Sequence, residues 1–159
     1  MNTSTLDRIV RADRRMKIGF GGVRAMNQLP CNRKQFVSFI INTHPSDKSG
    51  EHWQAVFFDD RNRASFFCSY GTPPSNVVKK FILKNSSSME YNSCRLQHRR
   101  ATSCGLYCLY FLWHKSRRLP VTQLGMQNPC ANERIIHQFA RENFKLLANP
   151  GQYGSVQYC

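Results

Sequence analysis

Cys104 is the residue of this sequence best placed for nucleophilic chemistry. It starts an apolar run, Cys104 to Lys115, that predicts a buried helix with Thr102 or Ser103 as its N-cap. Unpaired backbone N–H groups and the helix dipole favour an anion at a helix start, so they lower the pKa of a thiol there. By position alone, Cys104 is also compatible with a core cysteine, and that is what we expect of Cys108, one turn further along.

A candidate base and a candidate oxyanion donor precede Cys104 in the chain. His52 begins a predicted strand directly before Trp53, whose indole can fix the imidazole and exclude water. Gln97 lies seven residues before Cys104, and its amide can hold a developing oxyanion together with the Cys104 backbone N–H. Neither residue is diagnostic by itself. The order His, Gln, Cys is what predicts acyl-transfer chemistry at a thiol.

The elements that must position these residues alternate along a chain of 159 residues, a length that fits one domain, residues 1–159. A turn at residues 59–63 joins two strands as a hairpin, and the glycines at 19, 21 and 22 predict a loop running to Pro30. Strands clustered between helices predict an α+β domain with a mostly antiparallel sheet. The predicted helices cover 4–16, 76–83, 104–115 and 131–147, and the predicted strands cover 36–42, 52–58, 64–70 and 90–96.

Composition excludes several classes of protein. Hydrophobic residues make up 41% and aromatic residues 12% of the chain, too many for a disordered protein. No apolar run reaches the ~18–20 residues of a membrane span, and we expect neither a membrane association nor a secretory signal. The seven cysteines are odd in number and lack a C-x-x-C pair. We therefore expect mostly free thiols, no disulfide framework and no metal site.

The net charge of +14 arises from 23 basic residues against nine acids and predicts contact with a polyanion such as nucleic acid. Because the charges are spread and no base-reading helix is evident, we expect phosphate contacts that are independent of sequence. The alternative is a solvated face that aids solubility. The candidate DNA-binding residues are Arg14, Arg15, Lys79, Lys80, Arg99, Arg100, Lys115, Arg117 and Arg118.

Three stretches resemble the adenovirus endopeptidase (adenain) family, and they resemble its short members in adintoviruses and polinton-type elements more closely still. They are INTHPSDKSGEHWQAVFF ending at Phe58, FFCSYGTPP, and YNSCRLQHRRATSCGLYCLYFL beginning at Tyr91. The block Gln97-x6-Cys104-Gly-x-Tyr-Cys is specific when it accompanies His-Trp. The resemblance covers residues ~20–115, from Phe-Gly-Gly-Val onward, with a weaker echo at Asn132–Ile136.

The resemblance implies a papain-like fold in circularly rearranged order, with catalytic roles for His52, Cys104 and Gln97. It implies substrate contacts for Trp53, Gly50, Glu51 and Gly105, and cleavage of capsid and core precursor proteins after Gly-Gly-like sequences during virion maturation. It also implies a monomer in the host nucleus and virion, stimulated by double-stranded DNA. An activating viral peptide held through a disulfide is a further implication, with Cys94 as its counterpart.

The sequence departs from this family at position 68, where Cys68 replaces the expected Asp or Glu. The predicted hairpin sets His52 opposite residues 68–70, whereas Asp59 and Asp60 lie roughly 25 Å along a strand from it, at 3.3 Å per residue. Asp47, Glu51 and Glu90 are poor substitutes. We expect a Cys104–His52 dyad, since a cysteine is intrinsically nucleophilic, with Cys68 as a weak orienting group or a redox-sensitive partner.

Two other functions remain open at this stage. One is an inactive protein with a protease fold that binds DNA, which the loss of the acid favours. The other is a protease for ubiquitin-like modifiers, because those enzymes share the order His, Gln, Cys. The short chain and the lack of an evident Trp-rich substrate channel count against the second.

Overall fold

A five-stranded mixed sheet forms the centre of the computed structural model, which describes residues 1–47, 52–121, 124–125 and 128–144. The strand order is β1-β2-β3-β4-β5, with antiparallel pairs in the middle and a parallel pair at each edge. The α+β class is confirmed, although the sheet is mixed rather than mostly antiparallel. The strands are β1 (Phe20–Ala25), β2 (Ser38–Asn42), β3 (Trp53–Phe58), β4 (Arg63–Phe67) and β5 (Ser88–Tyr91), and the helices are α1 (Thr3–Ala12), α2 (Asn76–Lys84), α3 (Cys104–Ser116) and α4 (Pro129–Asn143).

Each face of the sheet has its own apolar core because successive strand residues point to opposite faces. Ile40 and Ala55 pack with α1, α3 and α4 on one face. Phe39 and Val56 pack with α2 on the other. Helix α3 is buried on nearly every side, as its apolar sequence predicts, so its first residue is held rigidly against the sheet.

Local capping explains where the helices begin and end. The Ser75 hydroxyl accepts a hydrogen bond from Val78 N–H, which confirms Ser75 as the N-cap of α2. Helix α1 ends at Ala12, short of the predicted residue 16, because the Asp13 carboxylate accepts from the N–H groups of Arg15 and Met16 and starts a turn. None of the helices in the described ranges is long and apolar enough to cross a membrane.

Residues 20–25 of the glycine-rich stretch after α1 form strand β1, so the prediction of a loop running to Pro30 was wrong for this part. A Cβ on Gly21 would lie 2.1 Å from the Phe39 ring, so β1 can approach β2 only because this residue has no side chain. The predicted strand 90–96 was also displaced. Strand β5 ends at Tyr91, and Asn92 bonds to the backbone of Cys68 instead of continuing the ladder.

The cysteines follow the expectation of mostly free thiols. Cys31, Cys68, Cys94, Cys104 and Cys108 are free, and Cys68, Cys104 and Cys108 are buried. Cys130 is disulfide-bonded. Cys68 directly follows β4, and Cys104 and Cys108 lie on α3, so the fold gathers the three buried thiols around the start of the buried helix.

Candidate active site

The imidazole of His52 meets two thiols where the start of β3 reaches the start of α3. Its Nε2 lies 3.3 Å from Cys68 Sγ, which confirms that the hairpin sets His52 against residue 68. The imidazole also interacts with the Cys104 thiol, while its buried Nδ1 has no partner of good hydrogen-bond geometry. Bonds of this kind often tighten only when substrate binds.

The three groups shift one another's pKa values. Burial by itself would lower the pKa of His52, but the interactions with Cys104 and Cys68 outweigh it and raise that pKa to about 9. Burial would raise the pKa of Cys68, yet His52 and Thr72 lower it to about 6. Because the groups titrate together, thiolate and imidazolium coexist between roughly these values.

The Cys104 thiol has the setting expected of a nucleophile. Burial opposes its ionisation, but His52 and the backbone N–H groups of Trp53 and Gly105 lower its pKa below the usual 9.0. The helix start therefore acts as the sequence predicted. Cys108 is the contrast: it is fully buried, and burial raises its pKa well above the ordinary value. The expectation that Cys108 is a core cysteine is confirmed.

Polar neighbours that carry no charge hold Cys68. Thr72 Oγ1 lies 3.0 Å from Cys68 Sγ. The side chain of Asn92 accepts from Cys68 N–H at 2.9 Å and donates to the Cys68 carbonyl at 2.6 Å. The thiol is fully buried, so its position relative to His52 is fixed by the fold.

Three of the acids considered as substitutes are bonded elsewhere. Asp59 pairs with Arg63 at 2.8 Å, and Asp60 pairs with Arg118 at 3.0 Å. Glu90 accepts from Ser65 at 2.7 Å. Glu51 lies outside the described residues. The charges that raise the pKa of His52 are those of the two cysteines.

Gln97 is fixed between the end of β4 and the segment that leads into α3. Its Oε1 accepts from Ser69 Oγ at 2.6 Å, and its Nε2 donates to the Ala101 carbonyl at 2.6 Å. The Ser69 carbonyl in turn accepts from the N–H groups of Leu96 and Gln97. The side chain is fully buried, and Nε2 carries a second N–H beyond the one given to Ala101.

Adenovirus proteases match part of the sequence. The snake adenovirus serotype 1 protease is 30% identical over 89 residues, which is 46% of this chain and 44% of that protein. The bovine adenovirus 7 protease is 29% identical over 97 residues, or 52% of this chain and 48% of that protein. This sequence similarity supports the resemblance to the adenain family. The matched region spans about half the length of these relatives, and no family model matches the chain.

Comparison with solved structures identifies the fold. The crystal structure of the ASFV pS273R protease has a TM-score of 0.60 and 17% identity, covering 91% of this chain and 67% of that one. The central domain of the uncharacterized Lpg1148 protein from Legionella pneumophila has a TM-score of 0.51 and 14% identity, covering 94% and 98%. The likeness to the protease confirms the papain-like α+β fold expected from the adenain resemblance.

The substrate-contact residues implied by the adenain resemblance are only partly open. Trp53 is 9% exposed, and its indole N–H donates to the Met1 carbonyl at 3.1 Å. A Cβ on Gly105 would lie 3.2 Å from Leu6 and 3.4 Å from Met1, so that side of the glycine faces α1 and not a substrate. Gly50 and Glu51 lie outside the described residues. Cys94 is a half-buried free thiol.

The basic residues divide into open and engaged groups. Arg117 is engaged, because its side chain is 18% exposed, bonds to Asp13 at 2.8 Å and lies over Trp113. Lys115 donates to Ser65 at 2.8 Å and is 28% exposed. These two side chains are therefore less available for phosphate contacts than the exposed members of the set. The exposed members are Arg14, Arg15, Lys79, Lys80, Arg99, Arg100 and Arg118, of which Arg118 also pairs with Asp60.

Several site residues escaped the sequence analysis. The ring of Tyr70 stacks on His52, with centroids 4.5 Å apart and planes 19° apart, a geometry that favours an imidazolium. Arg95 lies over the same tyrosine, 5.1 Å from its centroid. Thr72 and Asn92 hold Cys68, as described above. The only available signal was that Tyr70 and Thr72 lie within four residues of Cys68 at the end of a predicted strand.

Proposed function

We propose that this chain is a viral cysteine endopeptidase in which Cys104 is the nucleophile and His52 the base. The observation that supports this most directly is the interaction of His52 with Cys104 at the start of buried α3, which lowers the pKa of the thiol and helps to raise that of the imidazole. Such shifts favour a thiolate–imidazolium pair near neutral pH.

The reaction follows from the groups at hand. The Cys104 thiolate attacks the scissile carbonyl carbon, and the oxyanion accepts hydrogen bonds from the Cys104 backbone N–H and the second N–H of Gln97 Nε2. The His52 imidazolium then gives its proton to the leaving amine, leaving a thioester on Cys104. Neutral His52 takes a proton from water as it attacks that thioester, and loss of the Cys104 thiolate releases the acid and restores the thiolate–imidazolium pair.

Cys68 orients the base in place of the missing carboxylate. With a pKa of about 6, it is largely a thiolate at neutral pH and can accept the Nε2–H of His52 across the observed 3.3 Å. A thiolate is larger and a weaker acceptor than a carboxylate, so Cys68 supports the Cys104–His52 dyad less strongly than an acid would.

The adenain resemblance supports capsid and core precursor proteins as substrates, with cleavage after Gly-Gly-like sequences during virion maturation in the host nucleus and virion. Stimulation by double-stranded DNA is supported by the charge of +14 and by the exposed arginines beside Gln97. Arg95, Arg99 and Arg100 line a pocket of about 410 Å³ there. Cys94 is the candidate attachment point for an activating viral peptide.

The test is cleavage of fluorogenic peptides ending in Gly-Gly and of a ubiquitin-like fusion protein, each with and without duplex DNA. We expect cleavage of the peptides that Cys104→Ala abolishes, and stimulation by DNA that falls as salt rises. Preferential cleavage of the ubiquitin-like fusion would point to a deconjugating protease. DNA binding without any Cys104-dependent cleavage would identify an inactive relative.

A further inference from the structure

One buried carboxylate holds both ends of the segment between Gln97 and Cys104. Glu133, in the first turns of α4, is fully buried. Its Oε1 accepts from His98 N–H at 3.0 Å, directly after Gln97. Its Oε2 accepts from Ser103 Oγ at 2.6 Å, directly before Cys104. We call residues 96–103 the oxyanion segment.

Asn132 secures the same segment at its first residue. Its Nδ2 donates to the Leu96 carbonyl at 2.9 Å and to the Gly125 carbonyl at 2.8 Å. Its Oδ1 accepts from Gly125 N–H at 2.9 Å, so the amide has little freedom to turn. Two neighbouring residues of α4 therefore contact the oxyanion segment at residues 96, 98 and 103.

Tyr107 connects this arrangement to the nucleophile's own helix. Its hydroxyl lies 3.0 Å from Glu133 Oε1 and 3.2 Å from the Leu96 carbonyl. Burial and the charge of Glu133 raise the pKa of Tyr107 far above its ordinary value, so the hydroxyl stays a donor. The carboxylate thus receives bonds from the oxyanion segment and from α3 together.

The use of a charged residue here calls for an explanation, because burying a carboxylate is costly unless its oxygens are hydrogen-bonded. The three donors to Glu133 are neutral: one backbone N–H and two hydroxyls. A carboxylate can accept all three at once, because it has two oxygens and no donor of its own. An apolar residue would fill the space but leave those donors unpaired.

Ser103 shows that the arrangement takes precedence over ordinary helix capping. It is the N-cap residue of α3, yet its side chain makes no capping bond to the helix. Its hydroxyl is turned to Glu133 instead. A side-chain capping bond typically stabilises a helix, and Ser103 gives up that bond to donate to the distant Glu133 carboxylate.

We propose that Glu133, assisted by Asn132, is a positioning residue that sets the distance and angle between the Gln97 amide and the Cys104 thiol. This inference rests on the proposed function, since it assigns Glu133 to the geometry of the oxyanion hole. Glu133 acts through the oxyanion segment and touches no reacting atom. It should therefore affect acyl transfer, which forms an oxyanion, and spare reactions of the thiol that form none.

The experiment compares two reactions of Cys104 in the full chain. The first is cleavage of a fluorogenic Gly-Gly peptide, analysed for kcat and KM. The second is alkylation by iodoacetamide, in which the thiolate forms a C–S bond, iodide leaves and no oxyanion arises. Glu133→Ala is the test variant and Glu133→Gln the rescue. Glutamine keeps the shape, its oxygen can accept from His98 N–H and the Tyr107 hydroxyl, and its NH2 group can donate to Ser103 Oγ with that bond reversed. Glu142→Ala, an exposed acid on the same helix, is the matched control.

We expect Glu133→Ala to lower kcat by about 10- to 100-fold, as small misplacements of catalytic groups do, with KM changed by less than about threefold. Alkylation of Cys104 should stay within about twofold, and Glu133→Gln should recover most of the loss in kcat. If Glu133→Ala does not fold, Ser103→Ala removes one of the bonds and should lower kcat by about 3- to 10-fold with alkylation unchanged.

Equal kcat for the Glu133→Ala and Glu142→Ala variants would overturn the inference, as would a parallel loss of cleavage and alkylation. The same kcat loss in Glu133→Gln as in Glu133→Ala would also contradict positioning, because it would tie the effect to charge. Failure of the proposed function has a different signature: the unmodified chain would then show no Cys104-dependent cleavage at all.

Discussion

The two sides of Cys104, the proposed nucleophile, are built from different chemistry. On the side of the proposed base, His52 Nε2 lies 3.3 Å from Cys68 Sγ, and the partners of Cys68, Thr72 and Asn92, are neutral. On the oxyanion side, the segment carrying Gln97 is held by the buried carboxylate of Glu133. The base side thus has a thiol where the adenain pattern has an acid, whereas the oxyanion side is fixed by an acid that the sequence did not reveal.

The two sides should therefore affect catalysis in different ways: the base side through the charge of Cys68, and the oxyanion side through the position of Gln97. Cys68 gains or loses its charge near pH 6, so the base side responds to pH and to reagents that attack thiols. Glu133 is enclosed by three donors and serves as a rigid support. We therefore expect changes on the base side to alter pH profiles and thiol reactivity, and changes on the oxyanion side to alter kcat alone.

The largest effect should come from the nucleophile that both sides serve. Cys104→Ala should lower kcat/KM for a Gly-Gly peptide by at least about 10³-fold, because the acylation step loses its nucleophile. Cys108→Ala, one helical turn away, is the matched control and should stay within about threefold. Similar losses in both variants would mean that the α3 cysteines are structural.

The next effect should distinguish a thiolate from a carboxylate on the base side. Cys68→Ala should lower kcat/KM by about 10- to 100-fold because His52 loses its orienting acceptor. In the unmodified chain, activity should rise through about pH 6 as Cys68 ionises and fall above about pH 9 as the imidazolium loses its proton.

Cys68→Asp should restore activity and move the acidic limb down toward about pH 4, where an aspartate titrates. The pH dependence of kcat/KM, measured for the unmodified chain, Cys68→Ala and Cys68→Asp, gives both limbs. Unchanged activity in Cys68→Ala, or an unmoved acidic limb in Cys68→Asp, would remove Cys68 from the mechanism.

The smallest effect should come from the ring stacked on His52. Tyr70→Leu should lower kcat/KM by about 2- to 10-fold and move the basic limb to lower pH, because the imidazolium loses a favourable aromatic face. Tyr70→Phe keeps that face and should retain full activity. Equal losses in the two variants would assign the role to the hydroxyl instead of the ring.

The parts that the sequence predicted are those set by local pattern. Helix α3 follows from its apolar run, and the contact of His52 with Cys68 follows from a hairpin whose turn fixes the register. The placement of Cys104 at the start of α3 needs only the helix boundary. The order His, Gln, Cys then indicated acyl-transfer chemistry at a thiol.

The parts that escaped prediction depend on distant residues. Strand β1 exists because Gly21 admits the Phe39 ring, a contact that glycine-based turn rules do not include. Glu133 meets Ser103 across 30 residues, and Arg117 meets Asp13 across 104. No periodicity or motif links such pairs, so their roles emerge only when the helices are packed.

The most direct test of the account is to determine which thiol beside His52 attacks a substrate, since the pKa values of both Cys68 and Cys104 are lowered. A peptidyl halomethyl ketone ending in Gly-Gly, reacted at neutral pH and followed by mass mapping, answers this. We predict labelling of Cys104 over the other free thiols, lost in His52→Ala. Preferential labelling of Cys68, or labelling spread evenly over the free cysteines, would contradict Cys104 as the nucleophile.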